Sequence, residues 1–274
     1  MKAGFYQFGP VFGDTGANLD KALNALSSEE YDLIVLPELF TTGYQFTSEE
    51  EVSYLSEKVP DGPTTASLAR LSVEKGCYIV YGIAEKDGEQ IFNSAVICGP
   101  DGYMGTYRKT HLFFEETLWF SPGNSGFKVW DTEIGRIGIM VCFDWFYPES
   151  ARILSIMGAE VIAHPSNLVL PYCPDGMPMR CLENSVYAIT ANRTGTEDRH
   201  EDKKALTFIG SSQITGTKGE IIHRASGTND EIHFEELDLE LARSKDFNQY
   251  NNIMKDRRPD LYGKLTDDLN DDNS

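Results

Sequence analysis

The sequence predicts an α/β fold, and three observations carry that expectation. Short unbroken apolar runs, Leu33-Ile34-Val35-Leu36 and Val161-Ile162-Ala163, suit strands covered on both faces, and each ends beside a proline and polar residues. Between such runs lie stretches whose apolar residues recur at helical spacing, as from Asn18 to Leu26. With 274 residues, 41% apolar and 11% aromatic, the chain can bury a sizeable core in one large domain or two tightly fused halves.

Taken in order, residues 2–8 alternate partly and read as a strand that Gly9-Pro10 breaks, and a helix follows over 18–26. The run at 33–36 places Glu38 just past a strand end. Residues 66–75 fit a helix closed by Gly76. Strands then follow at 78–84, 93–98 and 103–107, with turns at Asp87-Gly88 and Asp101-Gly102. Lys109 comes directly after the last of them, and Glu115-Glu116 a little beyond. The strand at 137–141 ends at Cys142, and Pro148-Glu149 opens a helix to about Met157. A second such step runs from 161–163 through His164-Pro165-Ser166-Asn167 to a helix from about Met179 and a strand at 187–192. The recurrence of strand, proline and polar residue in Pro37-Glu38 and Pro165-Ser166-Asn167 hints at two similar halves. Short strands with turns at 217–219 and 227–229 precede a closing helix near Leu239, and the acidic residues 266–274 are expected to be solvated or disordered.

Composition excludes some functions. Asp and Glu total 43 against 24 Lys and Arg, and a net charge of -19 repels nucleic-acid phosphates and anionic membranes. The N-terminal MKAGFYQFGP lacks a signal-type apolar core, and no stretch approaches the roughly 18 apolar residues of a membrane span, so a cytoplasmic protein is expected. The cysteines, Cys77, Cys98, Cys142, Cys173 and Cys181, are odd in number and widely spaced, which favours free thiols over a disulfide framework. Cys142, His164, Cys173 and Cys181 lack the short spacings of a zinc site, and no glycine-rich phosphate loop stands between a strand and a helix. No metal or cofactor is therefore implied.

Cys142, between a buried strand and a helix N-terminus, would feel the partial positive charge of exposed backbone N–H groups, which favours a nucleophilic thiolate. The N–H of Phe143 could meet an oxyanion there. Position alone fits an inert core cysteine equally well.

Three segments resemble the nitrilase superfamily of carbon-nitrogen hydrolases: LPELF at 36–40, YRKTHLF at 107–113 and CFDWFYPESAR at 142–152. Each matches the family segment that donates one member of a Glu-Lys-Cys triad, which implies Glu38, Lys109 and Cys142 as catalytic residues. Glu116, seven residues after the lysine, matches a second carboxylate of positioning role, with Glu115 adjacent to it. The resemblance implies a four-layer αββα sandwich over 1–258, followed by an extension over 259–274. It also implies a homodimer or larger homo-oligomer, with residues 254–265 reaching a partner. In the implied reaction Cys142 attacks, Lys109 stabilises negative charge and Glu38 moves protons, through a thioester. Asp144, Glu149 and Arg152 are expected to fix the elbow through ion pairs and caps, His111 to be structural, and Asn167 to line the pocket.

Phe143-Asp144 stands where true nitrilases commonly carry Trp-Glu, so amides or N-carbamoyl amines are the expected small-molecule substrates, with nitriles as the alternative. A catalytically silent or acyl-transferring member is the other alternative. Loops at 41–48 and 171–179 would shape the substrate pocket.

Overall fold

Two six-stranded sheets organise the chain. The computed structural model describes residues 1–202 and 204–267. In the first half, strand β1 (Lys2–Gln7), helix α1 (Thr15–Ser27), β2 (Leu33–Val35), α2 (Glu49–Leu55) and α3 (Pro63–Lys75) lead into β3 (Tyr78–Asp87), β4 (Gln90–Gly99) and β5 (Gly102–Arg108). A short helix α4 (Glu116–Trp119) bridges to the second half, which begins with β6 (Val129–Thr132) and β7 (Gly135–Ile139). A 3-10 turn at Cys142–Phe146, α5 (Pro148–Ile156), β8 (Val161–Pro165), α6 (Tyr172–Asn184) and β9 (Tyr187–Ala191) follow. The small strands β10 (Thr196–Glu197) and β11 (Leu206–Thr207) pair with each other, and β12 (Gln213–Thr215), β13 (Ile221–Arg224), β14 (Glu231–Glu236) and α7 (Leu239–Arg243) complete the fold.

The sheets share one plan. In the order β14-β1-β2-β3-β4-β5, strands β1, β2 and β3 are parallel, with one antiparallel strand on one side and two on the other. The order β6-β7-β8-β9-β12-β13 repeats that arrangement around parallel β7, β8 and β9. Side chains alternate accordingly. Leu33, Val35, Val80 and Ile97 face the core between the sheets, whereas Ile34, Ile79, Tyr81 and Val96 pack with Leu26 and Leu68 under α1 and α3. Ala151, Leu154, Met177 and Cys181 of α5 and α6 cover the second sheet, giving the αββα sandwich.

Local chemistry explains the helix ends. Asp14 and Ser48 accept from the backbone of Ala17 and Glu51, and Pro63 opens α3, which Gly76 closes at φ 65°. Helix α2 was not expected from its apolar pattern. Its signal is the Ser48-x-x-Glu51 capping pair with an acidic first turn.

The expected loop at 171–179 is a correction: α6 starts at Tyr172, not near Met179. Pro178 inside it removes the donor that would serve the Pro174 carbonyl. Gln213 Nε2 at 3.0 Å and Arg224 Nη2 at 2.8 Å donate to that oxygen instead. The acidic-tail expectation falls largely on residues 268–274, outside the described residues.

Gln213 is fully buried and also accepts from Arg224 Nε at 2.9 Å. Gln213→Leu is therefore expected to cost about 1–3 kcal/mol, read as a lower urea midpoint at unchanged slope; an unchanged midpoint would show that the proline-containing helix does not depend on this donor.

Candidate active site

Glu38, Cys142 and Asn167 all lie just beyond the carboxyl ends of parallel strands, β2, β7 and β8 respectively, and Lys109 follows β5 directly. Glu38 and Asn167 both follow the middle parallel strand of their sheets, Glu38 one residue and Asn167 two residues past the proline that the two segments share. Glu38 can come this close to β3 because residue 82 is glycine. A Cβ there would meet the Glu38 Cα at 2.4 Å.

Three charged side chains meet in the interior. Lys109 Nζ donates to Glu38 Oε1 at 2.7 Å and to Glu116 Oε1 at 2.8 Å, and all three residues are buried. Burial opposes the ammonium charge, but Glu116 and Glu38 outweigh it and hold Lys109 above its ordinary range. Burial, only partly offset by Lys109, pushes Glu116 up to about 7. Tyr44 OH at 2.8 Å and the Phe113 N–H at 3.1 Å fix the two Glu116 oxygens. Glu116 therefore joins the charged cluster, while Glu115 stands at the position preceding α4. Asn93 Nδ2 joins Lys109 on Glu38 Oε1 at 2.7 Å, and Glu38 Oε2 has no hydrogen-bond partner among the described residues.

Cys142 sits at φ 41°, in the left-handed region that a side chain rarely adopts. Two groups hold it there. Asp144 Oδ2 accepts from the Val141 N–H at 2.9 Å and Tyr107 OH at 2.7 Å, and its Oδ1 lies 2.7 Å from His111 Nδ1. His164, held neutral by burial with its pKa lowered to about 4, donates from Nε2 to the Cys142 carbonyl at 2.9 Å. The expected thiolate is corrected: burial, then the Glu38 carboxylate, push the Cys142 thiol well above its ordinary range, beyond what Lys109 and the Asn167 N–H recover. Of the other expected elbow residues, Glu149 is exposed in the first turn of α5 and Arg152 reaches away, donating to the Glu183 carbonyl at 2.7 Å. Neither fixes the elbow as Asp144 does.

A cavity of about 150 Å³ opens beside Cys142 and Asn167, walled by Phe113, Phe143, Trp145, Phe146, Leu168, Val169, Leu170 and Tyr172. Both polar atoms of the Asn167 side chain are buried without a partner among the described residues. Of the two loops expected to shape it, 171–179 contributes Tyr172 from α6, and 41–48 instead supplies Tyr44 to Glu116.

Sequence reasoning missed Tyr44, Asn93 and the group that steadies the 41–48 loop. Glu197, ion-paired with the buried Arg193, accepts from the backbone of Tyr44 at 3.1 Å and Gln45 at 2.6 Å. Asn93 left a signal, being a polar residue at the head of an apolar strand. Arg193 left none, because nothing local marks a cation destined for burial.

Glu116 links stability to pH. Its carboxyl titrates near 4.5 when unfolded and near 7 in the fold, so in that window the folded chain keeps a proton that the unfolded chain has lost. This group therefore makes stability fall as pH rises from 4.5 to 7, and contributes no slope above. Glu116→Gln should flatten that part of a urea-midpoint profile; the same slope in the variant would place the raised carboxyl elsewhere.

Residues 2–246 match the family model described as carbon-nitrogen hydrolase. A protein of Pyrococcus abyssi named nitrilase is 47% identical over 96% of this chain and 99% of its own length. An N-carbamoylputrescine amidase of Solanum lycopersicum is 30% identical over 91% of this chain and 88% of its own length. The crystal structure of a carbon-nitrogen hydrolase from Helicobacter pylori superposes with a TM-score of 0.87 at 29% identity, covering 97% of this chain and 98% of that one. The chain thus belongs to the carbon-nitrogen hydrolase family, within the nitrilase superfamily.

Proposed function

We propose that the protein hydrolyses the carbon-nitrogen bond of a small uncharged amide or N-carbamoyl compound through a thioester on Cys142. The observation that carries this reading is Glu38 Oε2, without a hydrogen-bond partner among the described residues, near a thiol that burial and the Glu38 carboxylate push above its ordinary range. A thiol raised in this way needs a base at the moment of attack, and Glu38 Oε2 can serve as one. As the Cys142 sulfur bonds to the carbonyl carbon, Glu38 takes its proton. The Lys109 ammonium and the Phe143 N–H stabilise the oxyanion. Glu38 returns the proton to the leaving nitrogen, the carbon-nitrogen bond breaks, and ammonia or an amine departs. Water, deprotonated by Glu38, then cleaves the thioester to the acid and restores the thiol. Glu116 positions Lys109, and Asn167 offers an amide to the substrate.

The cavity wall supports the substrate class. None of its lining side chains is charged, so a cationic or carboxylate-bearing substituent would lose its hydration without compensation. A small nitrile is the second reading, favoured by the 47% identity to the protein named nitrilase.

Ammonia release from matched small amides, N-carbamoyl compounds and nitriles, each with uncharged and charged side chains, tests this. Uncharged members should be preferred, and Cys142→Ala should lower kcat/KM at least about a thousandfold. Turnover that survives in the variant would remove Cys142 from the reaction, and preference for charged members would overturn the substrate class.

Self-association is part of the proposal. Ile153 and Ile156 of α5, Met179 and Leu182 of α6, and Leu261 and Leu265 of the C-terminal segment are exposed. Apolar exposure of this kind favours a homo-oligomer. Sedimentation should give at least twice the 30.7 kDa of one chain, and Ile156→Asp should reduce it; a monomeric wild type would refute the assembly.

A further inference from the structure

We propose a divalent transition-metal site where the open edges of the two sheets meet, formed by His223 of β13 with Glu231 and His233 of β14. Strand β13 is the last strand of one sheet and β14 the last of the other, so the three residues span the sandwich rather than belonging to one loop. Alternation along β14 puts Glu231, His233 and Glu235 on one face, while Ile232 and Phe234 pack with the core on the opposite side. The Phe5 ring lies beneath, 6.0 Å from the His223 ring and 6.3 Å from that of His233.

The donors are already gathered. One ligand atom from each of His223, Glu231 and His233 lies within 4.8 Å of the others, and all three side chains are part-exposed, which leaves the ion a route in. His223 Nε2 lies 2.6 Å from Glu231 Oε1, and the two imidazole rings stack at 3.5 Å. Small rotations that tilt the rings would bring both nitrogens onto one ion at the roughly 2 Å bonds zinc requires. Two imidazoles and a carboxylate select zinc, copper, nickel or cobalt over magnesium or calcium. Glu235 Oε1, 2.8 Å from His233 Nε2, is placed to orient that ring, as carboxylates do beside metal-bound histidines. The site shares no residue with the cavity at Cys142, so its role is to clasp the two sheet edges together.

Zinc chloride titrated calorimetrically into metal-stripped protein tests this, in a Cys142→Ala background that keeps the site thiol from competing. One ion per chain should bind, and free zinc at about a hundredfold excess over Kd should raise Tm by roughly 5 °C. His223→Gln with His233→Gln, which keeps hydrogen-bonding groups, should abolish both effects. No binding by the parent, or equal binding by the double variant, would overturn the proposal. Should the double variant fail to fold, Glu231→Gln decides: at least tenfold weaker zinc binding supports the site, and unchanged binding overturns it.

Discussion

A buried ammonium between two buried carboxylates is the constraint around which this molecule is built. Taking Lys109, Glu38 and Glu116 out of water is costly, and only mutual pairing at 2.7–2.8 Å makes their coexistence tolerable. Removing the ammonium would leave two interior carboxylates facing each other uncompensated, typically costing about 3–5 kcal/mol. The three residues therefore hold three segments of chain together: the turn after β2, the end of the β4–β5 hairpin, and the start of α4. The same pairing keeps Lys109 charged, which the proposed oxyanion chemistry requires.

The second constraint is backbone strain at that same end of the sheets. Cys142 at φ 41° and Leu39 at φ 48°, the residue after Glu38, both occupy conformations that cost about 1–3 kcal/mol each. Asp144 and His164 hold Cys142 from both sides, so the proposed nucleophile is fixed by hydrogen bonds to its neighbours and its own carbonyl. The placement keeps the sulfur beside the Asn167 N–H and close enough to Glu38 for the carboxylate to raise its pKa.

Distant parts of the chain complete the arrangement. The 41–48 loop carries Tyr44 to Glu116, yet the loop is anchored by Glu197, whose charge is balanced by Arg193. Arg193 also donates to the Pro10 carbonyl and stacks 4.0 Å over Phe208. Loss of this second buried pair would loosen Tyr44 without touching the charged cluster itself. The two sheets supply matching strand ends, so the first half contributes the carboxylate and the second the sulfur and amide.

The sequence by itself determined the α/β class and nearly every strand, because strand runs and turns are local signals, and the segments around Glu38, Lys109 and Cys142 carry the family resemblance from which the triad is proposed. It misplaced the start of α6, since prolines and a glycine at 174–178 read as a loop until Gln213 of β12 and Arg224 of β13 satisfy the freed carbonyl. It expected a thiolate at Cys142 because a helix N-terminus is visible in sequence, whereas burial and the approach of Glu38 are not. It could not separate Glu115 from Glu116 or find Tyr44, Asn93 and the Arg193–Glu197 pair. Those depend on which side chains meet across tens or hundreds of residues, and only tertiary packing sets the distance and desolvation that decide charge, strain and partner.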